Sequence, residues 1–232
     1  MRGKRPPDPV LLSPDQVWQV IDAQRTSLAD LLEDLTDDQW SRPSLCAGWT
    51  VRDVAAHLTL QQLGLTDMIG MMRAWRGNLD RTIQHAARRR AAALSTDQII
   101  ARIRGTVGSR RHNLGVTPLE TLTDILVHGQ DIAVPLGRHH EIPPAAAAVS
   151  ADRVLSMRWP PPLPAARRVR GFRLTATDIH WSTGDGPRVQ GPMSAILLVC
   201  TGRAAGLRQL SGEGVADLAA RLSVPGATGR PS

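Results

Sequence analysis

Apolar residues near the start of the chain recur at the spacing of an amphipathic helix. They form one stripe at steps of three, four or seven positions, and its members are Val17, Ile21, Leu28, Leu31 and Leu35. This pattern predicts a first helix from about Pro14 to about Leu35. Further helical segments are predicted over Thr50–Trp75, Arg81–Leu94, Ser95–Asn113 and Thr117–Pro135.

The predicted helices have clearly marked starts. A capping box places Ser or Thr before the helix and an acid or Gln three residues later, and each side chain accepts a backbone N–H bond from the other residue. This pattern occurs at Ser13–Gln16, Thr50–Asp53, Ser95–Gln98 and Thr117–Glu120. Four such starts predict four main helices, which can bury their apolar stripes against one another as a bundle.

The pattern changes after Gly137. Proline is concentrated in residues 160–164, and the stretches Val169–Thr177 and Ile179–Thr183 have the spacing of strands. The remaining predicted elements are an apolar helix over Pro192–Thr201, a short strand over Leu207–Leu210 and a last helix over Glu213–Leu222. The expected fold class is therefore α+β, with an N-terminal four-helix bundle followed by a small α/β domain.

The predicted domain organisation has five parts. They are a disordered N-terminal arm over residues 1–12, a metal-binding four-helix bundle over 13–137, a Pro-rich linker over 138–168, a small α/β domain over 169–222 and a disordered tail over 223–232. The second folded part is near the lower size limit of an independent domain.

Charge and composition narrow the classes of partner. The net charge is +7, and Lys4 is the only lysine among 28 basic residues. There is no tyrosine and one phenylalanine, which together with the arginine excess is typical of a GC-rich genome. Arg88–Arg90 and Arg167–Arg168 are the densest basic clusters and allow a nucleic-acid surface. No aromatic residues interleave with them and no recognition helix is indicated, so a solvated surface is favoured.

The compartment follows from what the chain lacks. No apolar run reaches the roughly 18 residues that span a bilayer, and Met1–Pro9 has no apolar core of a signal peptide. Cys46 and Cys200 are far apart and form no CxxC pair, which favours reduced thiols. We expect a cytoplasmic protein, a monomer or weak homodimer, with no nucleic-acid or membrane partner. Cys46 is expected to be structural.

Asp124 and His128 are the first candidates for chemistry. They are four residues apart in the predicted fourth helix, so their side chains share one face. The surrounding stretch Leu122–His128 is otherwise largely apolar, and a buried Asp or His costs free energy unless it is paired or bound to a metal. Taken alone, the pair is either a simple hydrogen bond or two ligands of one ion, the geometry of the two histidines in HExxH.

His57 adds a third polar residue on an apolar helix face, within Val54–Leu58. A lone buried histidine is usually a satisfied core residue, but three such residues on two helices of one bundle suggest a common ion. Two His and one carboxylate leave coordination positions open to water or substrate. The sequence therefore predicts a divalent-metal site of catalytic type formed by His57, Asp124 and His128.

Two further acids lie one turn from these candidates. Asp53 could orient His57, although its place in a capping box explains it equally. Asp131 lies near a helix C-terminus, where the helix dipole disfavours a carboxylate, so a supporting or loop-tying role is expected. The other histidines have no carboxylate or histidine partner at ligand spacing in a rigid element: His85, His112, His139, His140 and His180.

Two segments carry a resemblance to a known family. Trp40, followed by Pro43–Leu58 with its run C-A-G-W-T-V-R-D-V-A-A-H-L, resembles the signature of the mycothiol-dependent maleylpyruvate isomerase family. The segment Asp124–Ile132 is similar to that family's E-x-x-x-H-x-x-D-L motif, with Asp124 in the Glu position. With the region around Leu197 and Arg203, the resemblance extends over most of the chain.

The resemblance implies a DinB-like metal-binding four-helix domain followed by a small sterol-carrier-like α/β domain. The family's His, Glu and His ligands correspond to His57, Asp124 and His128, with zinc as the first choice of metal and nickel, iron or manganese as alternatives. It also implies an actinobacterial origin, mycothiol as thiol cosubstrate and a small electrophilic, anionic substrate.

Two reactions stay open at this stage, isomerisation of the maleylpyruvate type and S-transfer. Arg203 is a candidate catalytic residue that binds an anionic group, and the alternative is a cation on a helix C-terminus. A non-enzymatic metal- or ligand-binding regulator that uses the basic surface is the competing class of function.

Overall fold

The structure is a computed structural model that describes residues 11–62, 76–77, 79–113, 115–158 and 164–223. The fold has two compact units, one over Ser13–Glu141 and the other from Ile142 onwards. The predicted arm over 1–12 and tail over 223–232 lie almost entirely outside the described residues. Among the described helices none is long and apolar enough to cross a membrane.

The first unit is helical. Its elements are α1 (Pro14–Glu33), α2 (Asp37–Ser41), α3 (Val51–Leu58), α4 (Leu79–Ala93), α5 (Thr96–Arg104) and α6 (Pro118–Ala133), followed by a 3₁₀ turn over Val134–Leu136. All four predicted capping boxes are present, at the starts of α1, α3, α5 and α6. A fifth, which the sequence analysis did not identify, joins Thr36 and Gln39 at the start of α2.

The core of this unit lies between the helices. Helix α1 packs against α5 and α6, and α3 packs against α4 and α6. The predicted stripe of α1 contributes Ile21 and Leu28, which are both fully buried, and α6 contributes Ile125 and Leu126. The pairing of α3 with α6 brings together the two helices that carry the three predicted metal ligands.

Two helices end earlier than predicted. Helix α3 stops at Leu58, where the Thr59 hydroxyl donates to the Ala56 carbonyl and Asn113 Nδ2 donates to the Leu60 carbonyl. The chain turns through residues 59–62, and the rest of the predicted helix to Trp75 lies outside the described residues. Helix α5 stops at Arg104, because Gly105 and Gly108 lower the helix propensity of the segment that follows.

The second unit combines helices with a small sheet. Its elements are α7 (Pro144–Ser156), α8 (Pro164–Arg168), β1 (Arg173–Ala176), β2 (Ser182–Thr183), β3 (Arg188–Gly191), α9 (Met193–Cys200), a 3₁₀ helix over Ala204–Gln209 and α10 (Val215–Ser223). Helix α9 is buried over nearly its whole length and packs against α7, the sheet and the 3₁₀ helix. This apolar helix is therefore the centre of the second core.

The sheet has the strand order β2-β1-β3. Strand β1 pairs with β2 in antiparallel orientation, Leu174 opposite Thr183, and with β3 in parallel orientation, Leu174 opposite Val189. The turn between β2 and β3 passes close to the start of β1. Gly186 has φ 119°, and a Cβ there would lie 2.3 Å from the Gly171 carbonyl oxygen, so no other residue fits without a shift.

The prediction for the second part of the chain needs three corrections. The segment 138–168, expected as a Pro-rich linker, contains α7, since its alanines have high helix propensity although no capping box marks the start. The stretch Leu207–Leu210, expected as a strand, belongs mainly to a 3₁₀ helix. Strand β3 was not predicted, because its four residues are too few to display an alternating pattern.

His140 fills a space next to α6 that a glycine leaves open. Its side chain is 6% exposed, and its Nδ1 lies 3.3 Å from the Ser27 hydroxyl on α1. A Cβ at Gly129 in α6 would lie 2.6 Å from two atoms of the His140 ring. The chain after α6 is thus held against α1 and α6 by an imidazole that depends on the absence of a side chain at residue 129.

We expect Gly129→Ala to destabilise the protein, although alanine normally favours a helix by up to about 1 kcal/mol. The methyl group would overlap the His140 ring, and overpacking of this kind costs about 1–3 kcal/mol. Chemical denaturation measures the change. The matched control is Gly105→Ala, where the nearest atom to a Cβ is Ala101 O at 3.2 Å and φ is −65°. A stabilised Gly129→Ala protein would contradict this packing.

Stability should fall in mild acid because of His140. Burial, followed by the neighbouring His139, lowers the pKa of His140 from 6.5 to about 4. Between these values the unfolded chain binds the proton and the folded chain does not. The stability that the neutral His140 ring contributes is therefore fully present above pH 6.5 and is lost as the pH falls towards 4. The upper limit of the loss is roughly 3 kcal/mol.

Denaturation of wild type and His140→Gln at several pH values tests this expectation. The variant should have a flatter pH dependence between 6.5 and 4, whereas His112→Gln, a change at an exposed histidine, should follow the wild type. Equal slopes for wild type and His140→Gln would rule out the assignment.

Candidate metal centre

The three predicted ligands meet where α3 and α6 pack together. His57 lies in the last turn of α3, and Asp124 and His128 lie one turn apart in α6. Asp124 Oδ1 is 3.6 Å from His57 Nε2 and 3.2 Å from His128 Nε2. The two imidazole rings are 5.0 Å apart and inclined at 77°. The expected convergence of these residues is thus present in the structure.

The three side chains are partly exposed. The side chains of His57, Asp124 and His128 are 17%, 31% and 14% exposed. These values differ from those of the surrounding core, where Ile125 and Val54 are almost completely buried. Within the described residues, these three side chains are therefore less buried than the core around them.

Polar groups around the three residues hold two of them in place. Gln61 Nε2 donates to Asp124 Oδ2 at 2.8 Å, which leaves Oδ1 directed at the histidines. His128 Nδ1 lies 2.8 Å from Asp131 Oδ2, so Nε2 is the ring nitrogen that faces Asp124. The Nδ1 atom of His57 is buried and has no hydrogen-bond partner among the described residues.

The loop before α3 contacts His57 and the supporting residue Asp131. Cys46 Sγ donates to Asp131 Oδ2 at 3.0 Å, and the backbone N–H of Leu45 donates to the Asp131 carbonyl at 3.1 Å. The Trp49 ring contacts the His57 ring edge-on, with centroids 5.5 Å apart. The loop is therefore packed against groups that support both histidines.

The charges in the site favour a positive partner for Asp124. Burial by itself would raise the pKa of Asp124, but the charge on His128, and then that on His57, holds it well below its usual value. Burial by itself would lower the pKa of His128, but Asp124 and the hydrogen bonds of the ring raise it well above its usual value. The carboxylate of Asp124 is thus stabilised in its ionised form by the two imidazole rings.

Asp53, the acid of the α3 capping box, is engaged by Thr50. Asp53 Oδ2 accepts from the backbone N–H and the hydroxyl of Thr50, so capping explains Asp53. Asp131 contacts both His128 and the loop, so both roles expected for it are present. Gln61 was missed, although it follows His57 by four residues, and this spacing was a usable signal.

The remaining candidates have surroundings of their own. His112, His139 and His180 are exposed, and His85 is half-buried with its Nε2 3.2 Å from Arg76 Nη2. His140 is the buried packing residue described above. Arg203 is in the second unit, where its Nη1 donates to the Thr201 carbonyl at 2.7 Å. The predicted contact of Arg203 with an anionic group stays a prediction.

Comparisons with known proteins agree with the resemblance read from the motifs. Residues 21–122 match the family model described as mycothiol maleylpyruvate isomerase N-terminal domain. This segment includes His57 and ends before Asp124 and His128. No curated protein sequence matches the chain.

Two solved structures are similar to the whole fold. Both are crystal structures of the mycothiol-dependent maleylpyruvate isomerase, one of them of a mutant, with TM-scores of 0.61 for the mutant and 0.60 for the other. They are 13% and 14% identical in sequence, and each match covers 87% of this chain and 93% of the other. The predicted resemblance and the predicted α+β fold class are confirmed.

Proposed function

We propose that this protein is a metal-dependent enzyme that uses a low-molecular-weight thiol, with mycothiol as the first choice, to isomerise a small electrophilic substrate of the maleylpyruvate type. The observation that carries the proposal is the geometry of His57, Asp124 and His128. The matches to the isomerase domain and to the isomerase structures support the choice of thiol and reaction.

The separations of the ligand atoms fit a bound metal ion. Ligands about 2.0–2.1 Å from a tetrahedral zinc lie about 3.3 Å from one another. The two nitrogen-to-carboxylate distances, 3.2 Å and 3.6 Å, lie on either side of this value. A simple hydrogen-bond network explains only one of them, because 3.6 Å is too long for an N–H···O bond. The donor set of two imidazoles and one carboxylate suits zinc and also iron or nickel.

Three protein ligands at a partly exposed position are typical of catalytic rather than structural metal sites, which have four protein ligands. When bound, a divalent metal would supply Lewis acidity, which lowers the pKa of a coordinated thiol so that a thiolate forms at neutral pH. His57 and His128 would bind through Nε2, and Asp124 would contribute the negative charge. Gln61 holds the carboxylate through its second oxygen, which leaves one oxygen free to bind.

A thiolate isomerises a conjugated double bond by addition and elimination. A carbon–sulfur bond forms, the π electrons move to the adjacent carbonyl, the former double bond rotates, and the carbon–sulfur bond breaks again. No atom is gained or lost, so the thiol is regenerated. S-transfer would begin with the same attack but expel a leaving group, and the product would keep the sulfur.

The proposed enzyme acts on a small molecule in the cytoplasm. The substrate is a small molecule, and Arg203 is retained as a candidate for contact with its anionic group. The two free cysteines are consistent with the reducing cytoplasm. The regulator alternative has less support, because a binding module has no need of three ligands with open coordination positions.

The metal should depend on all three ligands together. His57→Ala, Asp124→Ala and His128→Ala each leave two protein ligands, which is too few for a tight catalytic site. We expect each variant to lose most of the bound zinc-like ion and to keep a helical circular-dichroism spectrum, since the bundle core does not include the metal. Elemental analysis of purified proteins measures the content.

The controls for this experiment are His85→Ala and His112→Ala, which should retain full metal because neither side chain approaches the cluster. If His57→Ala still bound one equivalent while an outlying variant did not, the site would be misplaced. The mechanism that depends on it would then fail.

The thiol should stabilise the folded protein when metal is present. We expect mycothiol to raise the melting temperature of the zinc-loaded protein more than glutathione does, and an analogue with a hydroxyl in place of the thiol to have little effect. The Asp124→Ala variant is the control, in which the effect of mycothiol should be lost. An equal response to the thiol and to its hydroxyl analogue would count against a metal-bound sulfur.

Product analysis then distinguishes the reactions. Incubation of the zinc-loaded protein with mycothiol and maleylpyruvate should convert the substrate into its trans isomer without consuming the thiol. Consumption of one thiol per product would indicate S-transfer instead.

A further inference from the structure

The burial of the Asp131 carboxylate costs free energy, and its hydrogen-bond partners offset this cost. The residue is completely buried, and it lies in the last turn of α6, where the helix dipole disfavours a negative charge. An isolated carboxylate in this position would be strongly destabilising. Its Oδ2 atom, however, is within hydrogen-bond distance of two side chains from different elements, His128 in the same helix and Cys46 in the loop before α3.

These contacts have the dimensions of hydrogen bonds and not of a second metal site. Sulfur and oxygen ligands of one tetrahedral zinc would lie about 3.5 Å apart, and nitrogen and oxygen ligands about 3.3 Å. The observed distances to Asp131 Oδ2 are 3.0 Å from Cys46 Sγ and 2.8 Å from His128 Nδ1. Both contacts of Asp131 Oδ2 are thus shorter than an ion between the groups would allow, whereas Cys46 Sγ and His128 Nδ1 lie 3.7 Å apart.

The direction of the bonds determines which nitrogen of His128 can bind a metal. An ionised carboxylate only accepts hydrogen bonds, so the Nδ1 atom that faces Asp131 carries the hydrogen. In the neutral ring the lone pair is then on Nε2, which is the atom 3.2 Å from Asp124 Oδ1. The carboxylate of Asp131 therefore selects the tautomer that the proposed metal site requires.

Cys46 is held in position by the loop itself. Its backbone N–H donates to the Ser44 hydroxyl, and its carbonyl accepts from the Trp49 N–H at 3.0 Å. The preceding N–H, that of Leu45, donates to the Asp131 carbonyl. The loop therefore contacts Asp131 twice, once through the backbone and once through the thiol, and this fixes the direction of the S–H group.

We propose that Cys46 and Asp131 are positioning residues that act in series, the Cys46 thiol orienting the Asp131 carboxylate and the carboxylate orienting the His128 ring for metal binding. This inference rests on the proposed metal site. It assigns Cys46 a specific structural role as a hydrogen-bond donor and excludes it as a ligand or nucleophile.

Zinc affinity, measured by competition with a chromophoric chelator, is the first readout. Asp131→Asn should weaken zinc binding 10- to 100-fold, the usual effect of removing the group that orients a ligand histidine. Cys46→Ala should weaken it roughly two- to tenfold, the effect of one hydrogen bond. Cys46→Ser keeps a donor and should bind nearly as tightly as the wild type.

The double variant tests whether the two residues act in series. If Cys46 acts through Asp131, Cys46→Ala should have little further effect in an Asp131→Asn background. Additive losses would overturn the proposal. The control Ser44→Ala removes loop hydrogen bonds without touching Asp131, and a loss equal to that of Cys46→Ala would mean that Cys46 only supports the loop.

Spectroscopy supplies a readout that is independent of affinity. In protein loaded with ¹¹³Cd²⁺, coupling of the metal to His128 should occur through Nε2 in the wild type and become weaker or mixed in Asp131→Asn. A sulfur-to-cobalt charge-transfer band in the Co²⁺ protein that disappears in Cys46→Ala would make Cys46 a ligand and would also overturn the proposal. Thiols other than the protein's own must be absent from this sample.

The two levels of the proposal fail in different ways. A wild-type protein that binds no zinc at all would refute the metal site of the proposed function. A wild type that binds zinc through His57, Asp124 and His128, with unchanged affinity and Nε2 coupling in Asp131→Asn, would refute the positioning role alone.

Discussion

An ionised carboxylate inside a helical bundle requires compensation for its lost hydration, and Asp124 receives it from two imidazole rings and one amide. His57 and His128 face one of its oxygens, and Gln61 donates to the other. Helix α3, with the turn that follows it, and helix α6 must therefore pack closely enough for these side chains to meet. Much of the local sequence, from the capping boxes to the small residues Ala55 and Ala56 in α3, is consistent with this requirement.

A second buried carboxylate connects this pair of helices to the chain around them. Asp131 joins α6 to the loop before α3 through its side chain and its carbonyl. The same loop ends at Trp49, whose ring lies against His57. A disturbance of the loop would consequently reach both histidines, although no loop residue is needed as a ligand.

At Gly129, helix α6 packs directly against the His140 ring. Gly129 lies next to His128 in sequence, but it allows close approach of the neutral, buried His140 ring. One helix thus presents a partly exposed histidine and, one residue later, a position that requires the absence of a side chain. A substitution at Gly129 would therefore displace the His140 ring.

The sequence alone determined the helix starts, the apolar faces and the three residues that converge. These are local or periodic properties: a capping box acts over three residues, and residues at i and i+4 share a face in any helix. His57 could be joined to Asp124 and His128 by the cost of burying polar groups in one bundle, and by motifs that the resemblance made recognisable.

Only the tertiary structure decided the lengths of α3 and α5, the helix α7 within the presumed linker and the contacts of Cys46. Helix ends depend on which side chains satisfy the last carbonyls, and an alanine run becomes a helix or a linker according to what it can pack against. The partner of Cys46 is 85 positions away in the chain. No local pattern specifies such a contact, because it exists only when the loop and α6 pack together.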